Sequence, residues 1–430
     1  MAKEYKDSGI PWIGEIPKNW NTPLLKGVFR EREEKSTFGE ETLLSLSQYT
    51  GIKPKSETEI ADSHIAANYE GYKVVHKGDF VMNIMLAWNG SYAVSDYDGM
   101  ISPAYCVYYF RDDSNKRYYH YLLRINGYQA AFKTLSRGII DSRLRLYPEQ
   151  FYTFPTLQPP LSEQQRIAEF LDRKCGEIDE AIALQEEFIE ELKAYKQSVI
   201  TEAVTRGLNP NVKFKDSGID WIGKIPQGWE LKKVKYISTS ITKGAGITKE
   251  EVFEDGDTPC VRYGEIYSKY NNSFESCKSY TKKDILTACR YFNTGDVLFA
   301  GTGELVEEIG KSIVYLGKEP SLAGGDIIIL SHNQNPVFLN YALNSSYAQT
   351  QKSRGKAKLK VVHISASEIG SIYLMFPPST EQQQIADYLN NICTEIDSLI
   401  AIKQQKIEEL RDYKKSVIYE YVTGKKEVNV

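Results

Sequence analysis

The stretch K-D-S-G-I-P-W-I-G-E-I-P-K-N-W at residues 6–20 returns as K-D-S-G-I-D-W-I-G-K-I-P-Q-G-W at residues 215–229. Farther along, P-P-x-x-E-Q-Q occurs at residues 159–165 and again at residues 377–383. Two similar halves in one polypeptide give a monomer the symmetry of a dimer. Such a molecule suits a target with two halves, and DNA is the obvious candidate because its half-sites lie at fixed helical spacing.

The bulk composition is that of a soluble globular protein. A chain of 430 residues is long enough for two or more domains, each with its own core. No apolar run approaches the ~18 residues that span a bilayer, and no signal peptide is visible, so we expect a cytoplasmic protein. The six cysteines form no C-x-x-C pair and are expected to be reduced thiols.

The net charge of −4 argues against strong binding to phosphate by this chain alone. The acidic excess lies mainly in two segments, 162–206 and 379–430, whereas the regions between them are neutral to slightly basic. Those regions can still present local positive faces to DNA. We therefore expect tight DNA binding to need basic partner subunits.

Two long helices are predicted to form an intramolecular coiled coil. Ser162 with Gln165, and Thr380 with Gln383, are predicted to cap their starts, and a glycine ends each helix. Apolar residues recur about every 3.5 positions, which is typical of a coiled-coil stripe. The predicted coil core consists of Ile178, Ile182, Ile189, Leu192 and Val199 in the first helix, and Ile396, Ile400, Ile407, Leu410 and Val417 in the second.

The short connection after the first helix predicts that the two helices are antiparallel. Each helix is some 40 residues, or roughly 60 Å at ~1.5 Å per residue. Residues 207–213 can reach at most ~24 Å, which is too short to bring the chain back along a parallel coil. We therefore expect one globular domain at each end, with the helix pair as a spacer of fixed length.

The predicted fold is α/β (α+β), with two copies of a recognition domain joined by the antiparallel coil as a pseudo-twofold repeat. Segments 72–76 and 326–330 are rich in β-branched residues and predict strands, and short helices are predicted near 118–124 and 337–343. The predicted boundaries are 1–158 for the first domain (motif 8–20), 159–207 for the first helix, 208–376 for the second domain (motif 217–229), 377–424 for the second helix and 425–430 for a tail.

The chain resembles the specificity subunit of Type I restriction–modification systems. The resemblance rests on the duplicated S-G-I-x-W-I-G-x-I-P-x-x-W motif, on P-P-x-x-E-Q-Q, and on E-E-L-x-x-Y-K-x-S-V-I, which occurs at residues 190–200 and again at residues 408–418. It implies two target-recognition domains that each read one part of a split DNA sequence, with the coil setting the gap. It also implies partners: modification subunits, two in number, that bind S-adenosylmethionine and methylate adenine, and restriction subunits that use ATP and Mg²⁺. The specificity subunit itself would be non-catalytic and bind no cofactor or metal.

The clearest basic stretch lies in the second domain. Arginine can bind guanine bidentately, whereas lysine more often contacts phosphate, so this stretch is a candidate DNA contact. The alternative is a solvated charged strand. The candidates are Lys352, Arg354, Gly355, Lys356, Lys358 and Lys360, with Lys243 and Arg262 as weaker members.

The equivalent region of the first domain is a second candidate. Its basic residues precede the long helix by a similar distance, and a polar–aromatic stretch follows a predicted strand. Asparagine can read adenine, although Asn-Gly at residues 89–90 favours a structural hairpin turn instead. The candidates are Lys133, Arg137, Gly138, Arg143 and Arg145, together with Asn83, Asn89 and Tyr92.

Two other functions remain open from the residues alone. One is an enzyme with an unrecognised nuclease or methyltransferase site, and the other is an assembly scaffold that binds no DNA. The sequence has no complete G-x-x-x-x-G-K-[ST] motif, because Leu305 stands where the first glycine belongs before Gly310-Lys311-Ser312. It also has no [ND]-P-P-[YF] and no metal-binding histidine pattern, which favours a binding module. Trp12, Trp20, Trp221 and Trp229 are predicted to anchor each domain against a helix end rather than to stack on bases.

Overall fold

The computed structural model describes residues 4–48, 50–57, 69–140, 143–282, 288, 290–303, 305–356 and 362–428. The chain divides into two compact units, Met1–Gln185 with Gln405–Val430, and Glu186–Gln404. Each unit combines one globular region with parts of both long helices. Each unit is described by itself below.

The elements up to the end of the first long helix are short apart from that helix. The strands are β1 (Tyr5–Asp7), β2 (Glu15–Pro17), β3 (Phe29–Glu31), β4 (Leu44–Ser47), β5 (Gly51–Pro54), β6 (Lys73–Val75), β7 (Phe80–Asn83), β8 (Tyr92–Val94), β9 (Gly99–Ile101) and β10 (Tyr105–Phe110). The helices are α1 (Leu25–Val28), α2 (Lys116–Leu123), α3 (Asn126–Leu135), α4 (Pro148–Tyr152) and α5 (Leu161–Arg206).

The first unit is built on the antiparallel sheet β3-β10-β7-β8. Successive strand residues point to opposite faces, so each strand serves two cores. Phe80 and Tyr108 pack on Phe151 of α4 with the helices, whereas Val81 and Val107 pack with the small sheets β4-β5 and β6-β9. This sandwich fixes the end of β7, from which the candidate loop leaves.

The second part of the chain has more strands. They are β11 (Phe214–Asp216), β12 (Lys224–Pro226), β13 (Glu230–Lys233), β14 (Ser238–Lys243), β15 (Thr258–Val261), β16 (Ser273–Phe274), β17 (Ser279–Thr281), β18 (Tyr291–Phe292), β19 (Val297–Ala300), β20 (Thr302–Gly303), β21 (Ser312–Tyr315), β22 (Ser321–Ala323), β23 (Ile327–His332), β24 (Val362–His363) and β25 (Tyr373–Phe376). The helices are α6 (Tyr263–Ser268), α7 (Pro336–Asn344), α8 (Ser346–Lys352), α9 (Ala366–Ser371) and α10 (Ser379–Val422).

The second unit is built on the five-stranded sheet β14-β23-β19-β21-β16. Val297 and Phe299 face the helices with Phe338 of α7, whereas Leu298 and Ala300 face a second core that includes residues of the four-stranded sheet β17-β15-β22-β18. The strands predicted near 72–76 and 326–330 are confirmed as β6 and β23. The helices predicted near 118–124 and 337–343 are confirmed as α2 and α7.

The start of each long helix differs from the predicted capping. Helix α5 begins at Leu161 and α10 at Ser379, so Ser162 and Thr380 already lie inside the first turn. The second proline of each pair accepts the first backbone bonds, as in Gln164 N to Pro160 O at 3.0 Å. The proline pairs disfavour helix before them and so set where each long helix begins.

The two long helices are paired antiparallel within each unit. In the first unit, the rings of Phe170 and Tyr421 lie 4.3 Å apart, and the Lys414 ammonium is 2.6 Å from Asp179. In the second unit, Lys196 lies 2.7 Å from Asp397, and Lys403 covers the ring of Phe188 at 4.9 Å. As the residue numbers rise along α5, those of the contacting residues in α10 fall. The predicted antiparallel coil and the α/β fold are therefore confirmed.

Every residue predicted for the coil core is buried or half-buried. The buried members are Ile178, Ile189, Ile396, Ile407 and Val417, and the half-buried ones are Ile182, Leu192, Val199, Ile400 and Leu410. Ile200 is buried more deeply than its neighbour Val199. None of the helices in the described part of the chain combines the length and the hydropathy of a membrane span.

Candidate nucleic-acid interface

The two repeated motifs form a frame that fixes each globular region on the long helices. The buried Gln164 accepts a bond from the backbone N–H of Asn115 at 2.8 Å and donates to the Pro159 carbonyl at 2.8 Å. Gln382 is bound in the same way to Asn335 at 3.1 Å and to the Pro377 carbonyl at 2.9 Å.

Asn115 and Asn335 are the N-caps of α2 and α7, and each accepts from the N–H three residues on. Each glutamine therefore joins the start of a long helix to the start of a domain helix. The frame places the two domains on the helices by the same chemistry in both units.

The tryptophans of the other motif complete the frame. Trp20 is buried and donates to Glu163 in the first turn of α5, and Trp229 donates to Glu381 in the first turn of α10. The anchoring role predicted for these two residues is thus confirmed. Trp12 packs edge-on against Tyr128 at 5.0 Å. Trp221 is mostly exposed, although it stacks on Tyr347 and meets Tyr373 edge-on.

The basic loop of the second domain follows α8. Arg354 is exposed, and Gly355 adopts φ +78°, the left-handed conformation that glycine tolerates best. Lys356 is held by Glu368, its Nζ lying 2.7 Å from Oε1, so its charge is partly neutralised. Lys358 and Lys360 lie outside the described residues. Arg354 is therefore the best-placed member of this set.

Lys352 occupies a different environment from the one that the sequence suggested. Its side chain enters the core, and its ammonium donates to the Gly310 carbonyl at 2.7 Å, 5.9 Å from the centre of the Phe299 ring. Burial lowers the pKa of Lys352 to about 7. This position corrects the candidate set, because a fully enclosed ammonium cannot contact a duplex.

Three basic candidates of the first domain, Arg137, Arg143 and Arg145, lie on a hairpin, whereas Lys133 lies on α3. Arg137 and Arg145 exchange two backbone hydrogen bonds of 2.9 Å, and the N–H of Arg143 donates to the Ile140 carbonyl at 2.8 Å. We call the described residues of this feature, 137–140 and 143–145, the 137–145 hairpin. Arg137, Gly138 and Arg143 are exposed, whereas Arg145 is half-buried and also bonds the Leu144 carbonyl.

The structure brings the polar–aromatic stretch beside this hairpin. The N–H of Leu146 donates to the Ile84 carbonyl at 3.0 Å, just after β7. From α3, the Lys133 ammonium lies 5.1 Å over the ring of Trp88. The connection between β7 and β8 is longer than a two-residue turn, and Asn89 is half-buried in a 3₁₀ turn within it.

Two candidates of that stretch lie inside the domain. Asn83 is buried and accepts from the N–H of Met85 at 3.0 Å. Tyr92 is completely buried on β8, and burial raises the pKa of its phenol. These positions correct the candidate set too, because both side chains stabilise the loop and the core instead of facing outward.

The second domain repeats the same join with different residues. The N–H of Ile364 donates to the Gly301 carbonyl at 2.9 Å, as Leu146 does to Ile84 in the first domain. Beside it, the hydroxyl of Thr302 lies 3.0 Å from Nδ1 of His363. The backbone frame around the two candidate surfaces is therefore shared, while the side chains on them differ.

The weaker candidates of the second domain are at other places. Lys243 ends β14 and lies 3.3 Å from Asp326, an exposed pair worth little. Arg262 precedes α6 and lies 3.8 Å from the buried Glu265. No contact joins either residue to Arg354 among the described contacts, so they remain separate predictions.

The chain is similar in sequence to proteins of known type. Residues 226–411 match the family model of the Type I restriction modification DNA specificity domain. Over 432 residues the chain is 26% identical to the Type I restriction enzyme MjaVIII specificity subunit of Methanocaldococcus jannaschii, covering 95% of this chain and 93% of that protein. The chain is similar to the specificity subunits of Type I restriction systems. The resemblance seen in the sequence is thereby confirmed.

Other relatives and solved structures agree. The Type I restriction enzyme EcoKI specificity subunit of Escherichia coli is 24% identical over 211 residues, or 47% of this chain and 44% of that protein. A chain from a solved type I R-M system superposes with a TM-score of 0.70 at 18% identity, covering 95% and 98% of the two chains. The HsdS subunit from Thermoanaerobacter tengcongensis gives 0.51 at 18% identity over the same shares, and both structures show the same fold.

The matched family supports a DNA sequence-recognition subunit that works with other restriction–modification subunits and is not itself the catalyst. Within the described residues, no group of three His, Cys, Asp or Glu side chains is placed to hold a metal ion.

Sequence reasoning missed four exposed apolar residues beside the first-domain arginines. Ile139 and Ile140 lie on the 137–145 hairpin, and Met85 and Leu86 lie on the neighbouring loop. They escaped notice because they follow neither a helical nor a strand period. For the two isoleucines, the signal that could have found them is an apolar pair, Ile-Ile, between two arginines in a predicted loop.

Proposed function

We propose that this chain reads a DNA target in two different parts, one with each globular region, and directs adenine methylation and DNA cleavage by partner subunits to that target. The observation that carries the proposal is a duplicated frame with unlike surfaces. Trp20 and Trp229 make the same bond, and so do Gln164 and Gln382. A common frame with different exposed side chains suits two half-sites of different sequence.

The helix pair is proposed to set the length of DNA between the two half-sites. Helices α5 and α10 each run through both units, and ion pairs and aromatic contacts fix their register in each unit. Register is strongly specified where apolar stripes and charge pairs agree. A change in helix length should therefore change the spacing and leave base recognition alone.

Two equivalent grooves support the binding of two copies of one modification subunit. In the first unit, a groove of about 880 Å³ is lined by Asp179, Ile182, Lys414 and Ile418. In the second unit, a groove of about 1060 Å³ is lined by the equivalent residues, Asp397, Ile400, Lys196 and Ile200. Equivalent grooves with identical residues at these four positions fit the same partner surface twice.

The cofactors are proposed to reside on the partners. S-adenosylmethionine would bind the modification subunits, and ATP and Mg²⁺ the restriction subunits. The absence of a complete G-x-x-x-x-G-K-[ST] motif and of [ND]-P-P-[YF] in this sequence supports that division of labour. Since the substrate is host and invading DNA, we propose that the complex works in the cytoplasm.

The test of recognition is a map of methylated adenines in host DNA with and without this gene. We expect a two-part motif whose methylation disappears with the gene. A salt-dependent gel shift of the purified complex on that motif, absent on a scrambled duplex, would support it further. Methylation or cleavage by the purified chain alone, given S-adenosylmethionine or Mg²⁺, would favour the enzyme alternative. An unchanged methylation map would contradict the proposal.

The test of two partner copies uses equivalent charge reversals. Arg411 lines the first groove and Lys193 the second, and each pairs with a glutamate three residues earlier, at 2.6 Å and 2.8 Å. Native mass spectrometry should show that Arg411→Glu and Lys193→Glu each lose one modification subunit and that the double variant loses both. Loss of both copies in either single variant would contradict independent, equivalent sites.

A further inference from the structure

An apolar tip projects from the 137–145 hairpin. Ile139 is 100% exposed and Ile140 is 53% exposed, which is unusual for two consecutive isoleucines. Single exposed apolar residues need no explanation, but a cluster of them marks an interaction site. Met85 and Leu86 are also exposed, on the loop that a backbone bond from Leu146 to Ile84 joins to the base of the hairpin.

The flanking charges indicate what kind of partner meets the tip. Arg137 and Arg143 stand on either side of the isoleucines, and both are exposed. Arginines around an apolar tip fit a polyanion that also offers small apolar surfaces. Double-stranded DNA offers phosphates beside the 5-methyl groups of thymine, which face the major groove.

The width of the hairpin selects the groove. Two chain segments lie side by side at its base, joined by the paired backbone bonds of Arg137 and Arg145. The major groove, about 12 Å wide, admits a two-stranded ribbon, whereas the minor groove, about 6 Å wide, does not. Thymine methyl groups are presented only in the major groove.

We propose that Ile139 and Ile140 read thymine by contact with its 5-methyl group in the half-site bound by the first domain. This inference rests on the proposed function and adds the base that the first domain recognises. The second domain should lack this readout, because Lys356 follows Gly355 where Ile139 follows Gly138. Methyl recognition should therefore be confined to one half-site.

The test replaces thymine by uracil, which removes only the methyl group and keeps the pairing with adenine. Duplexes carrying the mapped target receive deoxyuridine at one thymine at a time in both half-sites. Binding is measured with the complex of this chain and its modification subunits. We expect one or more positions of one half-site to weaken binding by about 3- to 10-fold, the effect of losing one buried methyl group.

The protein variant pairs with that substitution. Ile139→Ala with Ile140→Ala should weaken binding to the unmodified duplex by a similar factor and should abolish the uracil penalty at those positions. Both residues are exposed, so the variant should keep its fold, and its melting temperature checks this. Uracil in the other half-site should leave binding unchanged in both proteins.

The possible failures are distinguishable. A complex that prefers the target over a scrambled duplex but ignores every uracil would overturn this inference alone. The same holds if the alanine variant keeps the full uracil penalty at every position. A complex with no preference for the target would overturn the proposed function, and this inference with it.

Discussion

The indole N–H of Trp20 donates to Oε2 of Glu163 at 3.0 Å. The residues belong to different motifs, one near the N-terminus and one at the start of α5. A Cβ on Gly424, just past the end of α10, would come within 3.0 Å of the same indole. Trp20 therefore contacts the start of one long helix and the end of the other. Trp229 does the same with Glu381 and Gly207.

We expect Trp20→Phe to destabilise the first unit by about 1–2 kcal/mol. An aromatic side chain is kept, but the phenyl ring is smaller than the buried indole, and the carboxylate loses a hydrogen-bond donor. Trp229→Phe should cost the second unit a similar amount. Trp221→Phe is the control, since Trp221 is 55% exposed, and it should change stability by less than about 0.5 kcal/mol. Urea unfolding measures all three, and an equal effect of the control would contradict the role of the indole bond.

Lys352 should make stability depend on pH. Its pKa in the folded chain is about 7, whereas an unfolded lysine titrates near 10.4. Between those values the unfolded state holds more protons, so stability should rise with pH from about 7 to about 10. Below the lower value both states are protonated, and this contribution stays flat.

Lys352→Met should remove that slope. At neutral pH it should also stabilise the chain by about 2–4 kcal/mol, the desolvation cost less the loss of the bond to the Gly310 carbonyl. Unfolding free energies of both proteins at several pH values from about 7 to 9 give the comparison. Parallel curves for the two proteins would show that Lys352 does not titrate as described.

Arg354→Ala should weaken methylation of the mapped target and leave subunit assembly intact. Loss of a bidentate base contact costs about 1–3 kcal/mol, and loss of a phosphate contact lowers the salt slope by about one instead. Lys318→Ala, which removes another exposed cation of the second domain, is the matched control. An unchanged methylation rate at low protein concentration would remove Arg354 from the interface.

The frame could be predicted from the sequence because its motifs occur in both halves of the chain and the apolar residues of its helices recur at a regular spacing. The spacing of Ile178 and its successors gave the coil, and the short connection after α5 gave its direction. The chemistry at the helix starts could not be predicted, because the bonds of Gln164 and Gln382 reach residues far away in the chain.

The candidate surfaces were harder to predict for a physical reason. A run of charged residues in the sequence does not tell which way each side chain points. Lys352 and Arg354 were therefore equal candidates, although the fold buries Lys352 and exposes Arg354. Asn83 and Tyr92 likewise had polar groups suited to DNA, but they end a buried strand and fill a core. Ile139 was overlooked because apolar residues are expected inside.

The most direct test of the central claim changes the helix length alone. Two heptads are inserted in α5 after Gln185 and in α10 after Gln404, where the chain passes between its two units. The insertion adds roughly 21 Å of helix at ~1.5 Å per residue. Methylated adenines are then mapped in cells that carry the altered chain. We predict the same two half-sites with a longer gap between them, whereas an unchanged gap would contradict the account.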